Sequence, residues 1–381
     1  MFGAPIAAFA LPYALHHIFL ATSRADEAPV TRLFLRIWKW LLSGATMYWI
    51  LERLENWNGL NPDRIPLVQM IRTYLARGVL GCTIAVLGMF WWYSPPSIVV
   101  QQEPKQEGER GGKTRVVVIG FANAYGSSYL LFLLVPFTLV FATAQPTGQV
   151  VLALGLIAIT CYVEVVDSEG DADGLVEAFT SAAVTSSASQ LQVAYQKPTF
   201  AVPAFLSILS LLLFYTTGHQ ATMPSIQWKS AFIGFPTLTY PFAPVLVILN
   251  TFGPIAIAAL ATPLFALWNI DPPKPNAPTS QDGSTSGSRS PSSLVLSRTL
   301  KLTLGTTLYH SALTFGTAFG AAALRRHLMV WKVFAPRFML GGASLLIVDV
   351  ALVLGVGVGV SRVVWKVEKT FGAGRFHHEY M

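Results

Sequence analysis

The groups best equipped for chemistry in this chain gather in one short polar break between two apolar runs. It reads Phe214-Tyr-Thr-Thr-Gly-His-Gln-Ala-Thr-Met-Pro-Ser-Ile-Gln-Trp-Lys-Ser-Ala-Phe-Ile-Gly-Phe235. Gly218, lacking a Cβ, can end the preceding helix in the left-handed conformation. His219, Gln220, Ser225 and Gln227 supply hydrogen-bonding groups, and Lys229 adds a positive charge. Tyr215 and Trp228 are the amphipathic rings that settle where membrane meets water. Two uses fit this set. One is a cradle for a phosphorylated headgroup or glycolipid, formed by Gly218, His219, Gln220, Gln227, Trp228 and Lys229. The other is a connection between helices whose polar groups satisfy one another.

Other residues invite the same pair of questions. Asp349 falls at the centre of the apolar run Phe338–Ser361, where an ionisable group is costly and marks either a site or a buried pair. His310 and Thr307 are the candidate partners. The loop Arg325–Arg337 carries Arg325, Arg326, Lys332 and Arg337 without an acid, which suits anionic lipid or a cytosolic anchor. Residues 164–177 are acidic, and Glu169-x-Asp171-x-Asp173-Gly174 half-matches a calcium loop. Thr180 stands where the bidentate Glu belongs, so a solvated acidic loop is expected and no metal. The seven histidines make no ligand set with the acids, and no P-loop, dinucleotide fingerprint, nucleophile elbow or His-Glu-x-x-His occurs. Cys82 and Cys161 sit in apolar runs without ligand spacing, which assigns them to packing. The chain shows no catalytic centre of its own.

The elements that position these groups are membrane helices. Only 12% of the 381 residues are charged and 53% are hydrophobic, with mean hydropathy +0.52. A soluble domain has about twice that charged share. The net charge of +7 comes from Lys and Arg scattered at the ends of apolar runs, which excludes a nucleic-acid face. A crossing needs about 20 mostly apolar residues, and this predicts an all-α, polytopic transmembrane bundle of about ten spans. Residues 1–94 hold the first membrane helices and 95–115 a linker. Residues 116–270 form the central helices, 271–300 a disordered linker, and 301–381 a C-terminal helical pair and tail. Ser230–Ile270 carries no charge and is read as two crossings hinged at Pro241 and Pro244. On that count, with the Arg325–Arg337 loop cytosolic, the Gly218-His219-Gln220 turn and the N-terminus lie on the opposite side.

Three stretches carry a resemblance: Phe214–Phe232, Ala45-Thr-Met-Tyr-Trp-Ile-Leu-Glu52, and Leu328-Met-Val-Trp-Lys-Val-Phe-Ala-Pro-Arg-Phe338. Together they resemble the membrane region of the GPI ethanolamine phosphate transferases. That resemblance implies a multi-pass protein of the endoplasmic reticulum. It also implies transfer of ethanolamine phosphate from phosphatidylethanolamine to a mannose of the GPI glycolipid, the third mannose in the nearest subgroup. It further implies a small membrane partner subunit and a lumenal catalytic domain, with a Thr nucleophile and two zinc ions, preceding the membrane spans. None of those catalytic residues maps onto this sequence, so the stretch is expected to be a fragment, inactive by itself. Two other readings stay open: a non-catalytic membrane scaffold or regulator, and a transporter built around Asp349.

Overall fold

A computed structural model describes residues 3–22, 29–56, 61–95, 99–102, 116–120, 123–182, 200–221, 225–270, 291–326 and 330–371. Among them the chain is a bundle of nine helical rods. The first two are α1 (Gly3–Thr22) and α2 (Pro29–Glu55). The third joins α3 (Ile65–Cys82) to α4 (Met89–Tyr93) through a π-turn. Then come α5 (Ala124–Thr143), α6 (Pro146–Ala182), α7 (Ala201–Thr216), α8 (Phe242–Leu267) and α9 (Pro291–Ala323). The last rod joins α10 (Ala335–Leu354) to α11 (Ser361–Phe371), again through a π-turn. One antiparallel hairpin, β1 (Val99–Gln102) with β2 (Val116–Gly120), interrupts the helical pattern.

Five segments are long and apolar enough to cross a membrane: Pro62–Tyr93, Ala124–Thr143, Pro146–Asp173, Phe242–Leu267 and Lys332–Thr370. α7 is apolar but only 16 residues long. The centre is α5 packed on α8. Tyr125, Tyr129, Leu133, Phe137 and Phe141 of α5 are all fully buried. Tyr129 satisfies its hydroxyl by donating to the Leu260 carbonyl at 2.8 Å, as a phenol removed from water must. Trp38 of α2 donates through Nε1 to Thr138 Oγ1 at 2.9 Å. α5 and α8 approach closely at Gly253, where a Cβ would stand 2.5 Å from Val140, the small-residue contact typical of membrane helices. The pair Gly316 and Gly320 makes no comparable contact: nothing lies within 4 Å of a Cβ at Gly316.

Side-chain contacts define two ends of the bundle. At one, Trp91 Nε1 donates to the Ser128 carbonyl, Asn269 N donates to Asn123 Oδ1, and Lys366 donates to the Trp91 carbonyl. At the other, His219 meets Asn250, Asn250 meets Thr143, Arg77 meets Gly234 and Lys229 meets Glu52. Between them, Thr262 pairs with Thr306 and Thr307 with Asp349. These contacts make successive rods alternate in direction.

Several expectations change. Ser230–Ile270 is not two crossings. Its first part is a 3-10 turn (Trp228–Phe232) and irregular backbone, and only Phe242–Leu267 is helix. Gly234, at φ +79°, and the prolines at 236 and 241 hold the earlier part out of helix, while Pro244 sits in the first turn of α8. The basic loop after α9 therefore lies at the same end as His219, not opposite it. Described Lys and Arg residues divide almost evenly between the ends, so one basic loop does not orient the bundle. Residues 164–177 continue α6 rather than forming a loop. Val116–Gly120 is strand, as its β-branched run favours, so the fifth helix starts only at Ala124. Residues 291–300 begin α9; 271–290, most of 95–115 and the tail beyond 371 lie outside the described residues.

Candidate functional site: the polar seam at the His219 end

α7 stops in a Schellman motif. Gly218 adopts φ +93°, its N–H donates to the Tyr215 carbonyl, and the His219 N–H donates to the Phe214 carbonyl. These are the paired bonds that cap orphan carbonyls at a helix C-terminus, and an apolar contact across the motif accompanies them. Here that contact is the His219 ring stacked on Phe214, with centroids 5.3 Å apart. The Thr217 oxygen also lies 2.8 and 2.9 Å from the Leu213 and Phe214 carbonyls, but its single proton makes one such bond at a time.

The turn delivers His219 into the bundle, where it is 2% exposed. Its Nδ1 lies 3.1 Å from Thr217 Oγ1 and its Nε2 3.1 Å from Asn250 Oδ1. Asn250 is fixed in turn, because its Nδ2 donates to the Thr143 carbonyl at 2.8 Å. That leaves Oδ1 facing the imidazole as an acceptor, so Nε2 carries a proton. Burial lowers the His219 pKa, against the raising effect of its bonds to Asn250 and Phe214, and the ring is neutral with Nδ1 accepting from Thr217. The carbonyl capped by Asn250 belongs to the last turn of α5. Gln149 Nε2 caps another there, the Phe141 carbonyl, at 3.1 Å. One polar chain thus closes the ends of α5 and α7 against the start of α8.

The rest of the motif reaches α2 and α3. Gln227 Nε2 donates to the Thr217 carbonyl at 3.0 Å, and Lys229 pairs with Glu52 at 3.3 Å. Arg77 Nε donates to the Gly234 carbonyl at 2.7 Å, and its guanidinium lies over Phe235. Ile233 is buried with Tyr48, Trp49, Ala76 and Leu246. The segment Ala45–Glu52 is therefore packed directly against Phe214–Phe235. The last of the three similar stretches meets the same end, where Phe334 approaches Gly320.

The six candidates separate by exposure. His219 is enclosed by the protein, Gly218 serves the cap, and half-buried Gln227 is held by its bond to the Thr217 carbonyl. Gln220 and Lys229 are exposed and Trp228 is 60% exposed, which leaves these three facing outward. Gln220 N donates to Ser225 Oγ at 3.0 Å, closing the turn locally. Asp349 is not brought into this seam. It accepts from Thr307 at 3.1 Å, while His310 is 1% exposed with neither ring nitrogen hydrogen-bonded. No group of three or more His, Cys, Asp or Glu among the described residues could hold a metal ion. A zinc centre therefore does not fit the residues described. The partner missed in the sequence is Asn250. Its signal was a lone amide inside an uncharged apolar run, which demands a partner in hydrocarbon.

No family profile matches the chain, and no solved structure does either. Curated relatives do. Over 326 residues it is 25% identical to GPI ethanolamine phosphate transferase 3 of Eremothecium gossypii, covering 85% of this chain and 28% of that protein. Over 340 residues it is 27% identical to GPI ethanolamine phosphate transferase 3 of Saccharomyces cerevisiae, covering 88% of this chain and 29% of that protein. Over 177 residues it is 32% identical to GPI ethanolamine phosphate transferase 3, catalytic subunit, of Homo sapiens, covering 40% of this chain and 16% of that protein. The chain spans less than a third of the length of these relatives. Along most of its own length, this apolar helical chain is similar in sequence to the GPI ethanolamine phosphate transferases, and in particular to those numbered 3.

Proposed function

We propose that this chain is the membrane portion of an ethanolamine phosphate transferase of GPI-anchor biosynthesis, acting on the third mannose of the GPI precursor. The observation that carries this reading is similarity over 85% and 88% of the chain to two proteins bearing that name. A second observation supports it: the stretches Ala45–Glu52, Phe214–Phe232 and Leu328–Phe338, far apart in sequence, converge on the His219 end of the bundle. In this proposal the nine rods all cross the endoplasmic-reticulum membrane, one fewer than the composition suggested, and the His219 end faces the lumen. The reaction moves ethanolamine phosphate from phosphatidylethanolamine to the glycolipid, and a small membrane subunit accompanies the enzyme. The chain's own share is binding and positioning. The buried His219–Asn250–Thr143 chain holds the helix ends rigid, and the outward rim of Gln220, Trp228 and Lys229 meets lipid headgroups.

Photo-crosslinking tests that share. A benzoylphenylalanine placed at Gln220 in microsomes should capture the radiolabelled GPI precursor, and one placed at Lys369 should not. Capture at Lys369 with none at Gln220 contradicts the placement.

A further inference from the structure

At the His219 end the backbone from Phe235 to Pro241 runs outside any helix, between the 3-10 turn and α8. The base of this loop is fixed. Arg77 Nε donates to the Gly234 carbonyl, and Phe235 stacks on Phe242 with centroids 4.9 Å apart and planes 13° from parallel. The tip is bare, with Leu238 74% and Tyr240 85% exposed. Apolar side chains presented outward from a fixed base mark a surface that meets something.

Two observations say what it meets. The first is depth. Arg77, which anchors the base, is the last charged residue before the uncharged run 78–93 of the span Pro62–Tyr93. As helix that run is about 24 Å long, less than the hydrocarbon core of about 30 Å. Arg77 therefore has no room to stand clear of the bilayer, and its guanidinium marks the level where acyl chains give way to headgroups. The second is continuity. Ser230 to Ile270 carries no charge, and the exposed tip leads directly into the outward residues Phe242, Val245 and Ile248 of α8, which belong to the span Phe242–Leu267. Lipid that covers that helix face reaches the loop.

The backbone suits the boundary and not the hydrocarbon beneath it. Pro236 and Pro241 have no N–H to satisfy. The Thr237 carbonyl accepts from Thr239 Oγ1 at 3.1 Å, and the Thr239 carbonyl accepts from Ala243 N at 2.9 Å. None of the loop's bonds uses the Leu238 or Tyr240 N–H, and an unmet N–H is tolerated only where water still reaches. A tyrosine ring is at home at that level. We propose that residues 235–242 form an interfacial wedge, with Leu238 and Tyr240 seated among the headgroups and upper acyl carbons of the leaflet at the His219 end. Its partner is the lipid surface whatever the lipid charge, since the loop presents no charged group. The wedge continues from the turn bearing Trp228 and Lys229 and so holds those two at headgroup depth, a consequence that rests on the proposed lipid-positioning role of this end.

Spin-label accessibility reads the depth, in the full chain with Cys82 and Cys161 replaced by serine and reconstituted in phosphatidylcholine bilayers. Single labels go on Leu238→Cys and Tyr240→Cys, with Asp63→Cys as the water reference and Val353→Cys as the hydrocarbon reference. All four positions are exposed, so labelling removes no buried contact, and circular dichroism should match the unsubstituted chain. The ratio of oxygen to aqueous nickel-chelate collisions at 238 and 240 should lie between the two references and should not move when phosphatidylserine or salt is added. With Leu238→Asp present, the label at 240 should shift toward the Asp63 value, because a carboxylate is costly at that depth. A ratio equal to that of Asp63 places the loop in water and overturns the wedge. Low collision with both reagents overturns it too, by placing a protein surface over the loop. Neither reading requires transferase activity: failure of Gln220 to capture the GPI precursor counts against the proposed function, while the collision ratios alone decide the wedge.

Discussion

Replacing His219 with alanine removes the piece on which the seam turns. Two hydrogen bonds are lost, each worth about 1 kcal/mol net. The stack on Phe214 goes with them, at about 0.5–1.5 kcal/mol beyond simple burial. The larger effect is what stays behind, because Asn250 Oδ1 remains buried without a donor, at about 1–3 kcal/mol. We therefore expect His219→Ala to cost about 3.5–6.5 kcal/mol, a large part of the stability of any domain. Asn250→Leu should cost a similar amount by orphaning both His219 Nε2 and the Thr143 carbonyl. The double substitution should cost less than the sum by about 1–2 kcal/mol, since each single change strands the partner of the other. Equilibrium unfolding of the purified chain in mixed micelles, followed by circular dichroism, measures all three. A single variant within about 0.5 kcal/mol of the unsubstituted chain, or strict additivity, would falsify the account of the seam. In a complete transferase the same logic predicts that activity and protein abundance fall together for His219→Ala, whereas Gln220→Ala, at the outer rim, lowers activity alone.

The histidine also sets a pH dependence. Burial holds the His219 pKa below its ordinary value of 6.5, so the unfolded chain takes up its proton first as pH falls. Stability should be full above pH 6.5, decline below it and level off under the folded pKa, and His219→Gln should remove that component of the unfolding profile. Asn123, at φ +47°, caps α5 through a bond from Gly126 N and also accepts from Asn269 N at the end of α8, each at 3.0 Å. Asn123→Ala should lower stability by about 1–2 kcal/mol in the same assay, and a loss smaller than Ser→Ala substitutions at exposed surface positions would contradict this bridge. The orientation is readable by chemical labelling. With Cys82 and Cys161 replaced by serine, a cysteine at Gln220 should resist an impermeant maleimide in intact microsomes, and a cysteine at Lys369 should react. The reverse pattern inverts the bundle.

Much of this architecture was legible in the residues. Uncharged apolar runs of crossing length mark the rods because hydrocarbon admits little else, and Gly218 after Tyr215-Thr216-Thr217 is the helix stop the structure shows. The failures have physical causes. Ser230–Ile270 has the composition of two spans, yet composition does not reveal that Gly234 and two prolines hold its first dozen residues as turns and irregular backbone. Acidic residues 164–177 suggested a loop, but the stretch holds no proline, and α6 runs on through them despite Gly170 and Gly174. His219 looked like a ligand-facing group because Asn250, the partner of its Nε2, lies 31 positions away along the chain. Only tertiary packing reveals that its hydrogen bonds are already taken. The contact of Lys366 with the Trp91 carbonyl was invisible for the same reason: the two residues are separated by most of the chain.

The most direct test exchanges this segment for its counterpart in the Saccharomyces cerevisiae protein and determines the structure of the GPI precursors by mass spectrometry. The chimera should be inserted in the membrane and should support addition of ethanolamine phosphate to the third mannose. A chimera that is abundant and correctly inserted, while precursors without that group accumulate, contradicts the assignment.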